Sequence, residues 1–175
     1  MLFSSIPFLY YFLPCVLLFY FAVPGRLKNG VLLLASLFFY GWGEPKYLLV
    51  MIGSIAQGYG FGLLLEKFRG RRQAKLLLAA SVCLSLGTLC YFKYADFMIA
   101  NLNALTGLSV PLLRITLPVG ISFYTFQILS YTVDVYRGTV LAQRNFVDLA
   151  AYIAMFPQLI AGPIVRYADI ETQLK

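Results

Sequence analysis

Residues 47–94 decide the fold: YLLVMIGSIAQGYGFGLLL (Tyr47–Leu65), then EKFRGRRQAK (Glu66–Lys75), then LLLAASVCLSLGTLCYFKY (Leu76–Tyr94). The two outer runs are apolar and near the roughly 20 residues that a membrane crossing needs. The block between them carries five cations in ten positions: Lys67, Arg69, Arg71, Arg72 and Lys75. Two apolar runs joined by a cationic hinge read as a helical membrane hairpin with its basic loop on the cytoplasmic side.

Composition extends that reading to the whole chain. Of the 175 residues, 61% are apolar and 12% charged, and the mean hydropathy is +0.79. Soluble domains hold about 45–50% apolar and about 25% charged residues. The balance excludes disorder, a coiled coil and a nucleic-acid-binding domain. The net charge of +7 therefore points to membrane topology, with no nucleic-acid partner. The chain has no His, which removes the commonest general base and metal ligand. Cys15, Cys83 and Cys90 lie inside apolar runs. They read as small buried side chains, and neither a disulfide framework nor a metal site is expected.

Working outward, the first span is Ile6–Val23. It lacks the preceding cations and the Ala-x-Ala site of a cleaved signal peptide. Gly30–Trp42 follows and closes at Glu44-Pro45-Lys46. Beyond Tyr94, the polar stretch Asp96–Arg114 reads as a connection made of an interfacial amphipathic segment. Leu117–Val135 and Phe146–Ile160 complete the set, the latter ended by Gly162-Pro163. The expected fold is an all-α integral membrane protein, a multispan helical bundle of about six hydrophobic segments. Pro, Gly and ionisable residues leave re-entry open for the last one or two. With an outside N-terminus, the first, third and fifth loops hold nine cations and the other side holds Lys46, Lys93, Arg114, Arg166 and Lys175.

Ser54, Gly58 and Gly62 recur every four residues and form a small-residue ridge for a close helix neighbour. A potassium-filter reading of Gly58-Tyr59-Gly60 fails because the helical run continues through Leu65. A phosphate-loop reading fails because no Lys-Ser/Thr pair follows. The block 66–75 reads as a topology determinant, with a lipid-phosphate or partner-docking patch as its alternative. Lys93, between Tyr91-Phe92 and Tyr94, reads as an interfacial anchor.

The stretch 117–137 is the richest. Pro118 and Gly120 should start or break a helix. Tyr124, Gln127, Ser130, Tyr131 and Asp134 then recur at helical spacing as a polar stripe. In hydrocarbon such a stripe must face protein or a water-filled cavity. Two readings stand side by side: the wall of a substrate cavity, and a structural helix end in which Asp134 pairs with Arg137. Phe156-Pro157 and Gly162-Pro163 cannot continue a regular helix. Gln158 and Arg166 are the polar contributors there, and Arg166 reads as either a snorkelling end residue or an anion ligand.

Residues 117–138, residues 156–167, Tyr91-Phe92-Lys93-Tyr94, the opening Met1–Ser5 and Phe39-Tyr40-Gly41-Trp42 together resemble the membrane-bound O-acyltransferase family. The likeness runs in order from residue 1 to 175 and is nearest to its bacterial alginate and other polysaccharide O-acetylases. The resemblance implies a multispan enzyme of the bacterial cytoplasmic membrane that acetylates hydroxyls of an exported polysaccharide, alongside other polysaccharide-modification proteins. The acyl donor stays open and no bound cofactor is implied. The family's presumed catalytic His lies beyond the matched region, and this chain has none, so no catalytic residue carries over. Residues 1–175 are then the N-terminal part of one such domain, truncated at the C-terminus and without turnover alone. Tyr124, Gln127, Tyr131, Asp134 and Arg166 are the candidate cavity-lining residues. Asp134 could in principle replace the His, but a paired Arg137 makes it a poor base. Two alternatives are D-alanyl transfer to teichoic acid by a related acyltransferase, and a non-enzymatic membrane scaffold or transport subunit.

Overall fold

The computed structural model describes residues 5–161 and 165–174, and these are mostly helical with no strand among them. Eight α-helices follow in order: α1 (Leu13–Ala22), α2 (Lys28–Gly43), α3 (Pro45–Lys67), α4 (Arg72–Thr106), α5 (Ile121–Arg137), α6 (Phe146–Ala154), α7 (Phe156–Ala161) and α8 (Tyr167–Leu174). A π-helical turn, Phe8–Phe12, leads into α1. Among the described residues, α3 and α4 are long and apolar enough to cross a bilayer, and the remaining helices are shorter. Gly162-Pro163, Met1–Ser4 and Lys175 lie outside the described residues.

The bundle is organised around α3 and α5, which pack on each other and share α4 and α6 as neighbours. The small-residue ridge makes this approach possible. A Cβ on Gly58 would stand 2.8 Å from Ile128 Cγ2, and one on Gly62 would stand 2.7 Å from the Tyr131 hydroxyl. Gly60 points elsewhere, with nothing near its Cβ position. A polar contact joins α3 and α4: Gln57 on α3 donates to Ser85 Oγ on α4 (2.9 Å). The core seals behind them with Met51, Ile55, Leu65, Ile128, Leu149 and Ile153, each at most 1% exposed.

Many large apolar side chains face outward. Leu18, Phe19 and Phe21 on α1 and Leu76 and Leu84 on α4 are exposed. In a chain of this hydropathy an apolar exterior is the lipid- or partner-facing side of a membrane protein. This corrects the expectation for the cysteines: Cys15, Cys83 and Cys90 are all exposed. An apolar run in a membrane helix has no obligation to face inward, so sitting in such a run does not bury a side chain.

The polar stretch after Tyr94 also differs from expectation. Its first half, through Thr106, continues α4 rather than forming a separate segment, and Gly107 (φ +71) stops the helix. At 1.5 Å per residue the 35 residues of α4 reach about 52 Å, beyond a hydrocarbon core of about 30 Å. The chain then doubles back. Asp96 accepts from the N–H groups of Leu113 (2.7 Å), Arg114 (3.2 Å) and Ile115 (3.2 Å), and Asn103 both donates to and accepts from Val110. Arg114 is held there at φ +50. Asp96→Ala should free this loop. Limited trypsin digestion of the protein in nanodiscs is expected to cut after Arg114 several-fold faster in the variant, and an unchanged rate would refute the anchor.

The loops fall on two sides. On one, Asn29 donates to Asp148 (2.9 Å), the Tyr59 hydroxyl donates to the Arg144 carbonyl (2.7 Å), and Arg69 donates to the carbonyls of Val135 (2.8 Å) and Val140 (3.2 Å). This gathers the loops before α2, before α4 and before α6, the three whose cations were counted together. On the opposite side the Glu44 carboxylate accepts from Val119 N–H (3.0 Å). Lys93 sits 5.4 Å over the Tyr94 ring.

Candidate functional site

The α5 entry is set by its sequence. Gly120 takes the left-handed conformation (φ +74) that a helix start here demands. A Cβ on it would also meet Leu159 of α7 at 3.1 Å. The first turn of α5 is thereby pressed against α7. Further along, the α6 helix breaks at Met155 (φ −53, ψ 114), the residue before Phe156-Pro157. Pro157 sits in the first turn of α7, where its missing N–H costs nothing. The Ser36 hydroxyl of α2 accepts the Phe156 N–H (3.3 Å). Phe8, Phe12 and Phe39 close around Phe156 with ring centroids 5.4–5.8 Å apart.

The polar stripe of α5 turns into the protein. Tyr124, Gln127 and Tyr131 are each at most 1% exposed, and Ser130 and Asp134 are half-buried. Gln127 Nε2 donates to Gln158 Oε1 at 2.8 Å, so the two late sequence blocks meet side chain to side chain. The Tyr131 hydroxyl accepts the Gln143 N–H (2.9 Å), and its ring packs edge-on against Tyr167. Tyr152 on α6 donates to the Val165 carbonyl (2.6 Å) and also packs on Tyr167.

Several polar atoms along this seam are buried without a hydrogen-bond partner: the hydroxyls of Tyr40 and Tyr124, Gln127 Oε1 and Asp134 Oδ2. From Tyr124 to Asp134 they span about 15 Å of helix. Such groups are costly in a low-dielectric interior unless something meets them. Tyr40 and Tyr124 lie within electrostatic reach of each other and of Glu44, which brings α2 to the seam.

Not every candidate joins it. Arg166 is exposed, after the undescribed stretch that holds Gly162-Pro163. Asp134 and Arg137 do not pair. The ion pair among the described residues joins Arg144 to Glu66 (3.2 Å). Asp134 lies within electrostatic reach of Tyr152, while Arg137 is exposed and lines a cavity beside the basic loop. A spacing of three permits contact on a helix but does not compel it when the two side chains have different neighbours. Tyr40 was missed as a site residue. Its only sequence signal was its place in Phe39-Tyr40-Gly41-Trp42. Gln158 was read correctly as polar in a broken helix, but its partner could not be read.

No family model matches the chain, and no solved structure matches it. Curated relatives do. The chain is 42% identical over 99% of its length to a probable alginate O-acetylase of Pseudomonas syringae, covering 34% of that protein. It is 43% identical over 99% of its length to a probable alginate O-acetylase of Azotobacter vinelandii, covering 36% of it. It is 31% identical over its full length to a peptidoglycan O-acetyltransferase of Helicobacter pylori, covering 39% of it. The chain thus spans about a third of the length of the curated relatives it matches. An all-helical apolar bundle and 31–43% identity over nearly the whole chain to polysaccharide O-acetylases agree with the resemblance read from the motifs: the chain fits an O-acyltransferase family.

Proposed function

We propose that the chain is the N-terminal part of a membrane O-acyltransferase domain that moves acetyl groups onto hydroxyls of an exported polysaccharide such as alginate. The observation that carries this reading is the 42–43% identity to alginate O-acetylases over 99% of the chain, against 31% for the peptidoglycan enzyme. The protein sits in the bacterial cytoplasmic membrane as a multi-pass bundle, its N-terminus outside and its cation-rich loops inside. The acetyl group comes from a separate donor, with no cofactor held by these residues.

In such a transfer the acceptor oxygen bonds to the acetyl carbonyl carbon, the bond to the donor breaks, and the hydroxyl proton passes to a base. The developing oxyanion needs fixed donors in a dry site. The α5 seam suits that second task. The Tyr124 and Tyr40 hydroxyls are buried donors with no protein partner, and the Gln127–Gln158 pair fixes the side chains beside them. The base is not assigned to these residues. Asp134 is the carboxylate of the seam, and Arg166, the fifth candidate, would reach an anionic group only from the exposed end.

A chimera tests the proposal. This chain replaces the matching third of an alginate O-acetylase in a bacterium lacking its own copy, and ester acetate on the secreted alginate is measured. Restored acetylation is expected. A chimera that reaches the membrane folded yet leaves the polymer unacetylated would count against the assignment.

A further inference from the structure

The seam leaves one built feature unused. On the side of the cation-rich loops lies a cavity of about 510 Å³ lined by Arg69, Gly70, Arg71, Arg72, Ala74, Lys75, Tyr136 and Arg137. Five of those eight residues are cations and none is acidic. Among the described residues no carboxylate pairs with any of the five, since Glu66 is engaged by Arg144 and Asp148 by Asn29. We propose that this cavity binds a phosphate group.

Three observations support this beyond charge. Topology requires only that cations lie on one side of the membrane. Here they converge on a single space, and Arg137 joins from the end of α5, more than sixty positions after the loop. Arg69 is pinned there, its guanidinium donating to the Val135 and Val140 carbonyls and standing 3.5 Å from the Gly138 Cβ position. A fixed cation is a preorganised one, and it loses little freedom when an anion arrives. The cavity also wraps the first turn of α4, which has no capping side chain and no acidic residue, so its free N–H groups and the positive end of the helix dipole add to the field. Like charges lining one cavity repel one another, and a dianionic or diester phosphate would relieve them with charge-assisted hydrogen bonds from Arg.

The phosphate has two possible sources: an anionic phospholipid headgroup at the membrane surface, and a soluble phosphate or pyrophosphate. Two probes separate them. The protein in phosphatidylcholine nanodiscs is titrated with inorganic pyrophosphate by calorimetry. In nanodiscs of equal phosphatidylcholine and phosphatidylglycerol, the phosphatidylglycerol retained by the protein is counted by native mass spectrometry. Each is repeated with Arg72→Gln, with Arg71→Gln/Arg72→Gln/Lys75→Gln, and with a control that neutralises Lys46, Lys93 and Arg114 on the other side.

At least one probe is expected to bind the parent protein, about threefold more weakly after Arg72→Gln and at least tenfold more weakly after the triple change, with the control within twofold. Retained phosphatidylglycerol with silent pyrophosphate assigns the lipid, and the reverse assigns the soluble anion. Binding of neither probe to the parent, binding unchanged in the triple variant, or equal loss in the control would each overturn the proposal. If the triple variant does not fold, the parent and the single variant still decide.

Discussion

Gly62→Ala should lower the thermal stability of the protein in detergent, whereas Gly60→Ala, two residues away on the same helix, should leave it unchanged or raise it slightly. The added methyl at position 62 arrives 2.7 Å from the Tyr131 hydroxyl and 2.8 Å from its ring. A flexible side chain could step aside, but Tyr131 cannot. It is fully buried, accepts a hydrogen bond from Gln143 and is stacked edge-on against Tyr167. Relief therefore requires α3 and α5 to separate, and overpacking of this kind costs about 1–3 kcal/mol. Gly58→Ala should behave similarly, because the β-branched Ile128 it meets has few rotamers on a helix. At Gly60 the methyl meets nothing, and alanine is the better helix former by about 1 kcal/mol. Apparent Tm values for the three variants check the argument. Equal values would mean that the ridge is not what sets the spacing of α3 and α5.

The same ridge shows what can be read from sequence alone. A four-residue spacing of small side chains says that one face of a helix can be approached closely, and α3 carries that face where expected. The apolar runs locate helices well for the same local reason. Tyr47–Leu65 became Pro45–Lys67, and the Pro118-Gly120 start of the fifth segment became a helix from Ile121. Reading fails where the deciding fact is not local. The apolar run ending at Tyr94 does not end α4, because the hydrogen-bond ladder continues through polar residues until Gly107 takes a left-handed turn. The cysteines face outward because the exterior of this bundle is apolar, so hydrophobicity carries no direction. Asp134 and Arg137 part company: Asp134 lies within electrostatic reach of Tyr152 and Arg137 lines the cavity beside the basic loop, both far away in sequence. The α5 stripe itself was legible, since unpaired polar groups must turn from lipid. Tyr40 and Gln158 as its neighbours were not, because spacing within one helix is silent about which other helix adjoins it.

That last contact carries the second large expectation. Gln127 is 1% exposed and gives its amide proton to Gln158 across the α5–α7 junction, 31 residues away. Gln127→Leu leaves the Gln158 oxygen unmet, and Gln158→Leu leaves the Gln127 amide unmet. Each single change should cost about 1–3 kcal/mol, the penalty of orphaning a buried polar group. Changing both to leucine removes the two polar groups together, so the double variant should be less destabilised than the sum of the singles. Stability and transfer then separate two roles. If the pair only joins helices, the double variant, stable again, should acetylate like the parent in the alginate chimera. The seam's row of unpartnered atoms, Tyr124 Oη and Gln127 Oε1 among them, argues that it does more. Acetylation is expected to stay at least tenfold below the parent in the double variant while its Tm recovers. A double variant that regains both would confine Gln127 and Gln158 to packing and move the candidate site off the middle of α5.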